Sequence, residues 1–415
     1  MTAIKIILKK VSPERLFMGS VLLVNGGNYL YNLILGRLLG PAAFADAALL
    51  ITLLLVLSFL GMTFQLATAK FAVLFSEEQW EAFQNLMYKY AMGFGIFVGI
   101  MLIAFSESLA NVFQSESSVM FKIFGVAIPF YFLMSVNRGT FQGRQDYSKL
   151  SVTYQAEMWT RLLITLALLL FVPLQPSILV ALGIILSFIF GFFPTNFNLK
   201  KVFKSSSLSK IDKRKVSKFM LLTAGYELTQ IIINNSDVLL VKHYFETIDA
   251  GLYASLALIG RVVYFVAWMF VMLLLPTVVQ KQKDGEATAP ILFKYVTYIS
   301  VLSFSIIAAC YIFPELIIQI MFGEVYLSIA PLLWKYAIAT SLFAISNIFA
   351  YYFLSLDKYI PVIISGLLGL LQVILICFFH DSLQVVVQMQ INAMIVLLVS
   401  QLLYFIYSLK KPSIK

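Results

Sequence analysis

Twelve apolar stretches run through this sequence, each about 20 residues or longer and so able to cross a ~30 Å hydrocarbon core as a helix. They lie near 16–36, 43–69, 87–106, 118–137, 149–172, 177–198, 219–241, 251–279, 291–313, 329–355, 359–379 and 384–408. In hydrocarbon every backbone N–H and C=O must find its partner inside the protein, and stretches of this length do so as helices. Of the 415 residues, 61% are hydrophobic and 12% charged, where a soluble domain carries about 25% charge. The fold expected is all-α and integral to the membrane, with about twelve spans. Both cysteines, Cys310 and Cys377, sit in apolar runs, which excludes a disulfide framework or a cysteine metal site.

The net charge of +10 is distributed by side. With the N-terminus inside, the inner loops receive the basic start, Lys70 and Lys89, and Arg138, Arg144 and Lys149. They also receive the run "KKVFKSSSLSKIDKRKVSK", Lys281, Lys283, Lys294, Lys358 and the basic end. The outer side keeps Arg37, Lys122, Lys242 and Lys335, beside Glu107, Glu116, Glu246, Asp249, Glu315, Glu324 and Asp381. This asymmetry follows the positive-inside rule and puts both termini in the cytoplasm. The excess charge is therefore read as topogenic, with anionic headgroups as the other reading and no nucleic-acid partner. The basic start enters a full span without a small-residue cleavage site, so no cleavable signal is expected. "SEEQWEAFQN" (76–85) reads as a short amphipathic helix on the inner surface, and Arg37 and Lys242 as side chains snorkelling to headgroups.

The polar run 200–218 divides the spans six and six, giving an N-terminal lobe 1–199, a basic cytoplasmic linker 200–218 and a C-terminal lobe 219–415. "NLILGRLLG" from Asn32 resembles "DVLLVKHYF" from Asp237, and "FADAALLIT" from Phe44 resembles "YASLALIGR" from Tyr253. Six crossings return the chain to the same side, so the repeat is a parallel duplication, an architecture of secondary transporters. Gly40-Pro41 is the outer turn of the first hairpin.

Asn25, Asn28 and Asn32 fall on one helix face, as do Glu227, Gln230, Asn234 and Asp237. Arg261 lies in the eighth stretch, and Glu157 and Arg161 in the fifth. Ionisable groups inside a span cost about 2.5 kcal/mol or more, so these face protein or a wet cavity. At about 1.5 Å per residue, Glu227 and Arg261 come roughly 12 and 15 Å in, near the midplane, with Asn25 and Arg161 at similar depth. Two readings stand for each. Glu157 and Arg161 have the spacing of an intrahelical ion pair, and Glu227 with Arg261 could be a pair that only orders two helices. The asparagines could serve interhelical hydrogen bonds. A transport cavity needs at least one of these groups to meet substrate.

The sequence holds no phosphate-binding G-x-x-x-x-G-K-[ST] loop, no H-E-x-x-H and no loop longer than about 20 residues for catalysis. An enzyme is disfavoured, and no cofactor or metal is expected.

Four segments, "NLILGRLLGPAAFADAALL", "FQGRQDYSKLS", "EMWTRLL" and "NSDVLLVKHYFETIDAGLYASLALIGR", resemble the polysaccharide-export flippases. These are the Wzx-type branch of the multidrug/oligosaccharidyl-lipid/polysaccharide exporter superfamily. The resemblance implies two six-helix lobes around a central cavity lined by spans 1, 2, 7 and 8, with access alternating between the membrane faces. It also implies a substrate: an undecaprenyl-diphosphate-linked oligosaccharide turned from the inner to the outer leaflet of the cytoplasmic membrane. Arg261, helped by Arg161, would hold the diphosphate, and the Asn, Gln and Tyr side chains the sugars. A coupling ion, sodium or proton, and polymerase machinery are the further partners implied. Two other readings remain: a cation-coupled multidrug extruder, with Glu227 and Asp237 as its carboxylates, and an integral scaffold protein.

Overall fold

The computed structural model describes residues 13–195, 208–260, 262–264, 284–356 and 358–410, with residues 274, 278, 281 and 282. Among the described residues, thirteen α-helices and one 3-10 helix make up the regular elements. They are α1 Pro13–Leu74, α2 Glu77–Ala104, α3 Ser106–Val112, α4 Val119–Gly143, α5 Tyr147–Phe171, α6 Pro176–Phe190 and α7 Lys210–Tyr244. Then come α8 Thr247–Gly260, α9 Ala289–Ile312, α10 Pro314–Met321, the 3-10 helix Glu324–Leu332, α11 Leu333–Ser355, α12 Ile360–Phe378 and α13 Leu383–Lys410.

Among the described residues, seven helical segments are long and apolar enough to cross a membrane. The count is lower than twelve for physical reasons. The first two stretches are joined in α1, which kinks at Gly40 (φ 71°), one residue before Pro41. Helix α6 has only 15 residues. Buried polar residues, Glu157 and Arg161 in α5 and Gln230, Asn235 and Asp237 in α7, lower the hydropathy of those helices. The stretch 251–279 is described only in part.

The chain divides into two compact units, residues 1–35 with 46–228, and residues 36–45 with 229–415. In the first, α2 and α4 touch through small residues. A Cβ on Gly95 would lie 2.7 Å from Pro129 Cα, and one on Gly99 would lie 2.5 Å from the Gly125 carbonyl oxygen. Such close approach maximises contact where no hydrophobic drive separates protein from lipid. Gly139 of α4 meets the Gln65 carbonyl of α1 in the same way. The segment 76–85 is not a separate surface helix. Ser76 and Gln79 form a capping box that starts α2, and Trp80 and Phe83 are buried.

In the second unit the kink of α1 is held by its own contacts. Tyr326 donates to the Gly36 carbonyl at 2.7 Å, Phe322 packs on Phe44 at 5.9 Å, and Gly251 leaves room for the Pro41 carbonyl. Gln372 of α12 donates to the Ile233 carbonyl of α7 at 3.2 Å, and Gln401 of α13 donates to the Pro361 carbonyl of α12 at 2.9 Å.

Candidate substrate site

In the first unit the charges gather at one place. Helix α5 sets Glu157 and Arg161 one turn apart, and they form the ion pair their spacing predicts. The structure adds a third member. Arg138 of α4 reaches the other carboxylate oxygen of Glu157 at 2.7 Å. It also donates to the hydroxyl and carbonyl of Thr153, at 3.1 and 3.0 Å, and stacks 3.9 Å over the Tyr154 ring. Arg138 is thus no inner-loop charge; it is 4% exposed and serves α5. Glu157 and Arg161 are also buried, at 9% and 8%. One carboxylate between two guanidiniums leaves a formal charge of +1 on this cluster.

Arg161 turns its remaining donors elsewhere. Its Nε points to the Ser187 hydroxyl of α6 at 3.4 Å and its Nη1 to Asn28 Oδ1 of α1 at 3.5 Å. Both are longer than the 2.7–3.2 Å of a strong bond, so these donors are loosely held. Helices α1 and α5 pack at this level: Tyr31 and Thr165 hydroxyls are 3.3 Å apart, and Gly27 makes room for Met158. Along α1, Asn25 is exposed and Asn28 and Asn32 are half-buried. Asn32 spends its amide on the Asn28 carbonyl at 2.9 Å, which leaves Oδ1 as its outward acceptor.

The second unit holds the other stripe. Asp237 is 1% exposed and accepts from the hydroxyls of Tyr336 at 2.7 Å and Tyr253 at 3.2 Å. Asn234 donates to the Gln230 carbonyl at 2.8 Å and lines a cavity with Tyr336, Thr340, Gln372 and Gln390. With about 20 Å³ open to water centres, this cavity takes one or two waters, not a sugar. Gln230 is buried, and its Oε1 has no hydrogen-bond partner among the described residues. Lys242 does not snorkel: it is 2% exposed. Arg37 is exposed and donates to the Ile320 carbonyl at 3.1 Å. Glu227 is half-buried in the first unit, and Arg261 lies outside the described residues, as does any pairing between them. Among the described residues, no group of three or more His, Cys, Asp or Glu could hold a metal.

The sequence pattern missed Arg138, Tyr253 and Tyr336. Arg138 stands five residues from the end of α4, where a positive-inside reading takes it for a loop charge. The tyrosines carry no local signal.

A model of the family described as "Polysaccharide biosynthesis protein" matches residues 34–331. The chain belongs to this family. No curated protein matches it by sequence. Solved structures share its fold. An inward-facing multidrug resistance MATE family transporter of the MOP superfamily superposes with a TM-score of 0.77 at 11% identity, over 93% of this chain and 95% of the other. The lipid II flippase MurJ, in an inward closed conformation, gives 0.74 at 15% identity, over 95% and 87%. A MOP superfamily transporter from Pyrococcus furiosus gives 0.54 at 14% identity, over 96% and 95%. This polysaccharide biosynthesis protein therefore shares the all-α, multi-pass fold of those transporters, the fold class expected from its sequence.

Proposed function

We propose that this membrane transporter turns an undecaprenyl-diphosphate-linked oligosaccharide from the inner to the outer leaflet of the cytoplasmic membrane, by alternating access. The observation that carries the reading is the buried cluster of the first unit, in which two guanidiniums share one carboxylate. Glu157 satisfies one side of Arg161, while the Nη1 that faces Asn28 is held only at 3.5 Å. A diphosphate oxygen replaces that weak contact with a charge-assisted one. Asn25 and the free acceptor of Asn32 then meet sugar hydroxyls along the same helix face. The sequence pattern adds Arg261, Glu227, Gln230, Asn234 and Asp237 as further substrate-contacting residues in this proposal. The two lobes, 1–199 and 219–415, arise by parallel duplication, and both termini are cytoplasmic. With the cell interior negative, outward movement of the anionic head gains about 2.3 kcal/mol per charge per 100 mV, in addition to any sodium or proton coupling. Polymerase machinery would receive the product.

Deletion followed by extraction of lipid-linked intermediates tests this. Undecaprenyl-diphosphate oligosaccharide should accumulate on the inner leaflet, and Arg161→Ala should reproduce the block while the protein still inserts. Arg161→Lys should restore part of export, since Lys keeps the charge but loses the planar fork.

A multidrug extruder is the second reading, favoured by the buried carboxylate of Asp237 with its two tyrosine donors. Cation-driven dye efflux that survives Arg161→Ala and fails in Asp237→Asn, with no lipid-linked intermediate accumulating, would replace the first reading by this one.

A further inference from the structure

An apolar groove in the first unit ends in a cation. Five residues of α2, Lys89, Tyr90, Gly93, Phe94 and Phe97, share one helix face and form one wall. Phe64 of α1 and Met220 of α7 form the other. The groove is open along one side, with Tyr90, Phe94 and Phe97 exposed on its wall, and offers about 550 Å³. Its middle is open because residue 93 is glycine: a Cβ there would meet nothing within 4 Å. Lys89 and Tyr90 supply the polar groups of the described lining, and no acidic residue is among them. More positive charge gathers at the same end. Lys70 sits 4.0 Å over the ring of Phe219, the neighbour of Met220, and Lys218 is exposed beside it.

From Lys89 to Phe97 is eight residues, about 12 Å of helix rise, a little less than half of a ~30 Å core. On the span 87–106 read from the sequence, Lys89 stands at one headgroup level and the groove runs from it towards the midplane. Its lining changes from ammonium to aromatic within about one helical turn. A lipid whose phosphate is bonded directly to a hydrocarbon chain matches that change. A glycerophospholipid would lay its glycerol esters against Gly93 and Phe94, where no donor meets them, and would have to leave its second chain outside.

We propose that this groove binds the phosphate-proximal part of a polyprenyl phosphate chain, with the phosphate on Lys89 and the first isoprene units over Gly93 between Phe64, Phe94 and Phe97. It is a holding site for the lipid on the inner leaflet, separate from the Arg138–Glu157–Arg161 cluster. The choice of a polyprenyl chain rests on the proposed function. The test does not measure transport, and its probe carries no sugar, so the two can fail independently.

Native mass spectrometry of the full chain, offered equal amounts of undecaprenyl monophosphate and phosphatidylglycerol, reads the preference. Undecaprenyl monophosphate should be retained over phosphatidylglycerol. Gly93→Leu fills open space and should cut its retention at least tenfold without lowering the melting temperature. Lys89→Gln should cut it severalfold, and inorganic phosphate should not compete, since the chain supplies most of the contact. A photo-crosslinking residue in place of Phe97 should label the polyprenyl chain. Equal retention of phosphatidylglycerol, or retention unchanged in Gly93→Leu, would overturn the site. So would competition by inorganic phosphate alone. Retention should be unchanged in Arg161→Ala, and loss of it there would overturn a holding site separate from the cluster.

Discussion

The hydroxyl of Tyr336 donates to Oδ2 of Asp237 at 2.7 Å, tying α11 to the C-terminal part of α7 across 99 residues of sequence. Both side chains are almost fully buried, so this is a charge-assisted bond with little competition from water. Such bonds contribute about 1.5–3 kcal/mol. Tyr336→Phe should lower the stability of the detergent-solubilised protein by about that amount, seen as a lower melting temperature. Tyr253→Phe, whose bond is longer at 3.2 Å, should cost less. Equal melting temperatures for the parent and Tyr336→Phe would show that the carboxylate is held by other groups.

The two arginines of the first unit depend on one carboxylate. Glu157→Ala would leave Arg138 and Arg161 buried without their acid, and breaking a buried pair in this way costs about 3–5 kcal/mol. Arg138→Met removes one charge and leaves the Glu157–Arg161 pair neutral, so it should cost less. If Arg161 serves transport, Arg138→Met should also weaken export more than its change in stability predicts, because the cluster loses its net positive charge. The comparison needs protein yield, melting temperature and export measured on the same three proteins.

Much of this fold is legible because it depends on local pattern. Apolar runs of span length, the Gly40-Pro41 break and the i, i+4 spacing of Glu157 and Arg161 are all written within a few residues of one another. What escaped depends on distant partners. Nothing near Arg138 says that it turns inward to Glu157, 19 positions on, and nothing near Lys242 says that it is covered instead of snorkelling. The helices α3 and α10 are too short to show in a search for spans. The segment 76–85 was read correctly as helical and wrongly as separate, because its polar residues hide the continuity of α2.

Asp146 offers a pH test outside the spans. It caps α5, accepting from the Lys149 backbone N–H at 3.1 Å and from its ammonium at 2.7 Å. Its pKa is held below the ordinary carboxylate value, first by the Lys149 side-chain bond. A depressed folded-state pKa stabilises above the unfolded value and loses that stabilisation as pH falls through the folded one. Acidification through and below about pH 4, the ordinary aspartate range, should therefore loosen the start of α5. Asp146→Ala should cost about 0.5–2 kcal/mol at neutral pH and remove this part of the acid sensitivity. Hydrogen exchange of the amides 147–150, followed against pH in both proteins, checks it.

Gly93 and Gly95 lie two residues apart on α2 and should behave oppositely. At Gly95 an added Cβ would fall 2.7 Å from Pro129 Cα, a backbone atom that cannot rotate away. Gly95→Ala must push α2 off α4, and overpacking of this kind costs about 1–3 kcal/mol. At Gly93 the same methyl enters open space, and alanine is the better helix former by about 1 kcal/mol. Gly93→Ala should therefore hold or raise the melting temperature while Gly95→Ala lowers it. A lower melting temperature in Gly93→Ala would mean that the groove wall is closed in the working protein, and that the space assigned to a lipid chain is filled by the protein itself.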